Sequence, residues 1–296
     1  MTAKPPVLLA VPNVSEGSER ETIDAIGAAF APAILLDVHS DPDHGRSVYT
    51  LAARQGDVAR GLLGGAREAV ARIDLRTHAG AHPHVGAIDV APVVYLEEAT
   101  RGAATAEALT AGALIGGELG LPVFLYGDLA TSDDRRERSA LREGGPEAIA
   151  RRMSGGELAP DYGPNRIDPE KGAVLVTARP PLIAFNVDLA TDDIRLAREI
   201  AAELRESGGG RPGVRAIGLH LPGRNRAQVS LNVHDHRAAP LAEIVEEIAR
   251  RAPIAELELV GLAPAAALEG LPPDVPMSGF DPERHVIENA LRSAEP

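Results

Sequence analysis

Cysteine is missing altogether from the 296 residues, which excludes a disulfide framework and any thiol chemistry. Lysine is nearly missing: Lys4 and Lys171 are the only two, and the other basic residues are all arginine. No apolar run approaches the roughly 18 residues needed to span a bilayer. The opening Met1-Thr-Ala-Lys-Pro-Pro6 has no signal-peptide cleavage pattern, so the default compartment is the cytoplasm. Positive charge is in deficit overall. A formal net charge of −13 argues against a nucleic-acid surface, which normally shows a basic face, and against anionic membranes. Arginine's planar fork nevertheless holds carboxylates by two hydrogen bonds. An acidic chain can therefore still bind a carboxylated small molecule in a local arginine-lined pocket, although for any single arginine a solvated helix face is the plainer account.

What is present is a soluble globular composition, 44% hydrophobic and 25% charged, in a chain long enough for one large domain or two smaller ones. Three of the nine histidines, His78, His82 and His84, fall within seven residues, with Gly80 and Gly86 beside them and Pro83 between the last two. Glycine opens backbone conformations closed to other residues, and proline fixes φ and removes a donor, so this is a shaped loop. It runs into an apolar strand at 87–96. Histidine exchanges protons near neutral pH, which makes the loop a candidate catalytic site. The alternatives are a structural loop, or a metal gathered by His39, His78, His82 and His84; His234-Asp-His236 invites the same metal reading against that of a polar strand end. Gly208-Gly-Gly210 follows a helix and lacks a Walker lysine, so it is a linker and not a phosphate loop.

Periodicity places strands at 7–13, 33–38, 46–54 and 88–96, with helices at 19–30 and 57–73, the second broken in composition by Gly64-Gly65. The order strand, helix, strand, strand, helix, strand is the split βαβ pattern of ferredoxin-like folds. A helix at 103–119, a strand at 123–127 and an acidic-basic helix at 133–152 extend it. The stretch 154–172 is rich in Gly, Pro and Asp and has no periodicity; a loop of this length is usually functional or disordered. Two strands are expected within 173–189, interrupted at Arg179-Pro-Pro181. Beyond them the pattern recurs, with a strand at 182–189, a helix at 192–206, strands at 214–221 and 227–233, a helix at 241–251 and a strand at 256–262. A helix at 281–292 closes the chain. The expected fold class is α/β (α+β), two ferredoxin-like βαββαβ subdomains at 1–180 and 181–296. Ligand sites favour domain interfaces, so a cleft or tunnel between the halves is the default place for one.

A specific resemblance rests on an ordered set of segments. Val11-Pro-Asn-Val-Ser-Glu-Gly17 and Leu35-Leu-Asp-Val-His-Ser-Asp-Pro-Asp-His-Gly-Arg-Ser-Val-Tyr-Thr50 open it. His78-Ala-Gly-Ala-His-Pro83, Gly86-Ala-Ile-Asp-Val-Ala-Pro92 and Pro122-Val-Phe-Leu-Tyr-Gly127 follow. Pro160-Asp-Tyr-Gly-Pro164, Leu182-Ile-Ala-Phe-Asn-Val-Asp188 and Ala227-Gln-Val-Ser-Leu-Asn232 complete the set. Together they resemble the formiminotransferase domain family, the glutamate formimidoyltransferases, over about 7–262. The resemblance implies two similar subdomains holding a folate in a tunnel, usually in a homodimer. It also implies transfer of a formimino group from N-formimino-L-glutamate to the five-position nitrogen of tetrahydrofolate, in histidine degradation and one-carbon metabolism. Tetrahydrofolate would be a co-substrate, with no metal, and a separate protein would supply any cyclodeaminase activity.

On this resemblance His82 is the catalytic histidine, serving as both base and acid. Asn13, Asp89 and Asn186 become candidates to bind or orient, against a bland reading as strand-end caps. The stretch 161–170 resembles the folate-contacting loop, giving Asp161, Tyr162, Gly163 and Pro164, with the Tyr162 ring available to stack on the pterin. The family usually has Asp where this chain has His39, and Lys-Gly-Glu-His-Pro-Arg where it has Ala79-Gly-Ala-His-Pro-His84. Lost charge beside a base changes its pKa and its substrate contacts. Two further readings follow: the same fold acting on another formimino or formyl donor, and a non-catalytic folate-binding paralogue. His84 is expected to reach solvent or a neighbouring carboxylate.

Overall fold

A computed structural model describes residues 4–296. The chain forms two compact units, 4–180 together with Pro296, and 181–295.

The first unit is built on a seven-stranded sheet. Strands β1 (Val7–Ala10) and β2 (Asn13–Val14) lie end to end because Pro12 has no N–H to give the ladder. Both are antiparallel to β4 (Arg46–Arg54) on one side and β5 (Ile88–Val94) on the other. Strand β3 (Ile34–Asp41) pairs antiparallel outside β4. With α1 (Arg20–Ala29) and α2 (Val58–Arg72) in the two crossovers, this is a ferredoxin-like βαββαβ sheet. The helix α3 (Arg101–Leu119) then carries the chain to two parallel additions. Strand β7 (Val174–Arg179) lies beside β5, and β6 (Val123–Leu125) lies beside β7.

Alternation along β4 decides which side of the sheet does what. Tyr49, Leu51 and Ala53 enter the main core with Ile23 and Ile26 of α1, Phe30 just after it, the apolar faces of α2 and α3, and Ile88 and Val93. The Tyr49 hydroxyl donates to the Ile23 carbonyl at 2.9 Å, so even this buried phenol is satisfied. Arg46, Val48, Thr50 and Ala52 take the opposite face. Over its β5–β7–β6 end a smaller core forms, where Leu141, Ile149 and Met153 meet Val90, Phe124, Tyr126 and Leu175.

These last helices differ from expectation. The single helix expected at 133–152 is instead a 3-10 turn at Asp133–Arg135, then α4 (Arg138–Arg142) and α5 (Gly145–Ser154). Gly144 and Gly145 have φ of +75° and +67°, a left-handed bend that ends one helix and redirects the next.

The second unit repeats the first pattern alone. Strands β8 (Ile183–Leu189), β9 (Val214–Leu221), β10 (Arg226–Val233) and β11 (Ile254–Val260) form an antiparallel sheet in the order β11-β8-β10-β9. Helices α6 (Ile194–Leu204) and α7 (Leu241–Ala249) cover one face with Ile200, Leu204, Ile244 and Ile248. The other face is polar: Asn186 and Asp188 stand opposite Ser230 and Gln228. The closing helix expected at 281–292 is divided into α8 (Pro282–His285) and α9 (Ile287–Ala294). Between them Val286 turns extended and bridges to Ala263.

Candidate active site

The histidine loop owes its shape to the β3–β4 turn beneath it. Ala81 N–H donates to the Asp43 carbonyl at 2.9 Å, and His82 N–H reaches the His44 carbonyl at 3.4 Å. Gly45 and Gly80 meet with their α-carbons so close that a Cβ on either would strike the other backbone. The His82 ring stacks on the ring of His44, with centroids 5.8 Å apart. His84 turns edge-on to His78, with ring centroids 4.4 Å apart, and the neighbouring carboxylate of Asp89 acts on it to favour its charged form.

His82 stands at the edge of a hydrogen-bonded network centred on Arg46. The Arg46 Nη1 donates to Asp89 Oδ2 at 3.0 Å and lies 2.8 Å from His82 Nδ1; its Nη2 donates to Asn13 Oδ1 at 2.8 Å. Asp89 Oδ1 accepts from the Val85 N–H at 2.9 Å, and Arg142 of α4 forms a second ion pair with Oδ2. Asp89 is 1% exposed and Asn13 7% exposed, so both are committed to this network. Burial by itself would raise the Asp89 pKa, but Arg142 and Arg46 overcome it and hold the carboxyl below its usual range.

The same surroundings act on His82 in the other direction. Burial first, then the charges of Arg46 and Arg142 and the neighbouring His44, push its pKa well below the ordinary histidine value. The ring is therefore neutral at pH 7. A guanidinium only donates, so the Arg46 contact suits the tautomer with bare Nδ1 and protonated Nε2. The Pro83 carbonyl, also 2.8 Å from Nδ1, only accepts and suits the opposite tautomer. With one partner for each tautomer, His82 can present either a proton or a lone pair at Nε2.

Of the residues singled out in the sequence, Asn13, His82 and Asp89 come together here. His39 lies on the same sheet face, in the cross-strand row Asn13–Val48–His39, two strand spacings or about 10 Å from Asn13. Asn186 belongs to the second unit, where its Nδ2 donates to Glu258 at 2.7 Å. Asp161 is an anchor: its carboxylate accepts from Leu125 N–H and the Thr131 hydroxyl, both at 2.8 Å, and from Arg135 at 3.2 Å. The Tyr162 ring is half-buried and packs on Gly112 and Gly116 of α3, against the main core. Gly163 follows at φ +82° against the Leu121 carbonyl, and Pro164 continues the same half-buried segment. Arg46 and Arg142 were missed. Arg46 was legible, since it heads β4 on the face opposite Tyr49 and Leu51; Arg142 carries no local signal within its mixed-charge helix.

The N-terminal subdomain of the formiminotransferase domain matches residues 7–179, and the formiminotransferase domain matches 184–271. The chain belongs to the formiminotransferase family. A glutamate formimidoyltransferase of Streptococcus pyogenes serotype M1 is 36% identical, over 96% of this chain and 98% of that protein. One from Thermoplasma acidophilum is 33% identical over 96% and 97%. The formimidoyltransferase-cyclodeaminase of Sus scrofa is 41% identical over 87% of this chain, and the match spans half of that longer protein. Within this formiminotransferase fold Arg46, His82, Asp89 and Arg142, each desolvated and each shifted in pKa, meet in one network, a usual mark of a site built for chemistry.

Proposed function

We propose that this chain, as subdomains 1–180 and 181–296, transfers the formimino group of N-formimino-L-glutamate to tetrahydrofolate, giving 5-formiminotetrahydrofolate and glutamate. The observation that carries the reading is His82 Nδ1 held between Arg46 and the Pro83 carbonyl, in a chain of this family. A depressed pKa keeps the resting ring uncharged at neutral pH, which is the form a base requires. In the tautomer favoured by Pro83, the bare Nε2 takes the proton that N5 of tetrahydrofolate loses as it bonds to the formimino carbon. The ring becomes an imidazolium with its Nδ1–H still on the Pro83 carbonyl. Nε2 then gives that proton to the glutamate nitrogen as the carbon–nitrogen bond to glutamate breaks. One proton and one formimino group thus change places, and His82 returns to its starting state. Asn13 and Asp89 fix the Arg46 guanidinium, while His39, Asn186 and the 161–164 segment complete the binding assignments of this reading.

The test is a two-substrate assay with tetrahydrofolate and formiminoglutamate, following the 5-formimino product spectroscopically. His82→Ala is expected to lower kcat by about 10²–10⁴-fold, the usual worth of a positioned acid-base group, with tetrahydrofolate affinity largely kept. A folded wild-type protein that binds tetrahydrofolate without turning over formiminoglutamate would reject this donor.

A further inference from the structure

Positive charge is concentrated in one place on the first sheet. Arg46 of β4 and Arg179 of β7 share the sheet face that carries Asp89, Phe124, Tyr126 and Leu175, because each alternates with residues of the main core. Arg138 and Arg142 come down onto that face from α4; four residues apart on a helix, they lie on the same side of it. Four guanidinium groups therefore meet a single carboxylate, in a chain whose net charge is −13.

The one carboxylate is already used. Asp89 is paired with both Arg46 and Arg142. Arg179 donates to the Tyr126 hydroxyl and to the Pro180 carbonyl at 2.9 Å, both uncharged. Arg138 has no side-chain hydrogen bond or ion pair among the described residues, and the buried Nε of Arg142 has no partner either. Burial weakens these cations: Arg142 is lowered to about 9 and Arg179 to about 10, with Arg138 adding repulsion to each. A fold accepts such uncompensated, partly desolvated charge where an anion is to complete it.

We propose that Arg138 and Arg179, backed by Arg142, form a carboxylate-binding site for a glutamyl group. The inference rests on the formimino-transfer reading for the identity of that group, which the donor and the tail of folate both contain. Guanidinium forks match carboxylates through paired hydrogen bonds, and a glutamyl group brings two carboxylates to a cluster short of negative charge. Its arrival would also offset the positive field at His82, joining donor recognition to the acid-base group.

The experiment measures L-glutamate binding by calorimetry on the full chain, with Arg138→Gln, Arg179→Gln and the double variant. Arg138 has no partner to lose, so its variant is expected to fold, as checked by circular dichroism. Each single change should weaken glutamate binding on the order of tenfold, the worth of a charge-assisted contact. The source is separated by two further readings. A raised KM for formiminoglutamate, with an unchanged Kd for tetrahydrofolate, assigns the site to the donor. A raised Kd for tetrahydrofolate but not for tetrahydropteroate, which lacks the glutamyl tail, assigns it to the folate tail. Folded variants that match wild type in glutamate binding and in both of these values overturn the site. Wild-type protein that binds glutamate through these arginines yet shows no formiminoglutamate turnover would overturn the reaction and leave the site standing.

Discussion

At the scale of the residue, Arg46 matters as much as the histidine it touches. It joins Asn13, Asp89 and His82, and its charge is one reason, after burial, that the His82 pKa lies low. The sign of a change there follows. Removing the guanidinium takes away a positive neighbour while Asp89 remains, so the His82 pKa rises toward the ordinary histidine value near 6.5. In Arg46→Gln the acid limb of the kcat/KM profile should move to higher pH, as more of the base is lost to protonation at a given pH. A variant slowed uniformly, with its acid limb where wild type has it, would make Arg46 a packing residue only. The histidine loop itself was legible in the sequence, because glycine, proline and three histidines in seven residues are a local pattern. Its electrostatics were not, since Arg142 enters from another helix 53 positions away from Asp89.

At the scale of the element, periodicity located most strands and helices to within a few residues, since alternation and the 3.6-residue repeat record which side of each element is buried. Gly64-Gly65 broke that pattern in composition but not in structure: α2 runs through both, and Gly65 is where the ring of Phe30, just after α1, packs. Segment 154–172 had no periodicity to read, and it is fixed by a backbone bridge between Tyr162 and Val123 and by side-chain bonds. Asp161 supplies three of those bonds and ties it to β6. Asp161→Ala leaves the Leu125 N–H without its acceptor and Arg135 without its carboxylate. A loss of about 1–3 kcal/mol is expected from an unsatisfied buried donor. Hydrogen exchange should show it as faster exchange confined to 154–172 and β6; unchanged protection there would mean the anchor lies elsewhere.

At the scale of the whole molecule, stability should depend on pH through the histidines. His78, His82 and His84 are all held below the ordinary histidine value, in each case chiefly by burial. In the unfolded chain they protonate as pH falls through about 6.5, whereas the folded chain takes those protons up only at lower pH. The unfolded state thus binds more protons in that window, and the contribution to stability, full above about 6.5, declines as pH drops below it. Thermal melts of the wild type should show Tm falling below that pH, less steeply in His82→Gln. Parallel slopes for the two proteins would show that His82 titrates alike in both states. The first unit packs a main core under α1–α3 and a smaller one under α4 and α5, and the second unit packs its core under α6 and α7.

By itself the sequence determined the repeated βαββαβ order, the apolar face of each element and the ordered motifs of the formiminotransferase family, because these are written in neighbouring residues. Tertiary structure alone decided that Tyr162 packs on α3, that Asp161 serves as an anchor, and that four arginines from β4, α4 and β7 face one carboxylate. Those outcomes depend on which distant strands and helices become neighbours. Charge and burial act through space, so the field at His82 is set by residues that no local pattern connects to it.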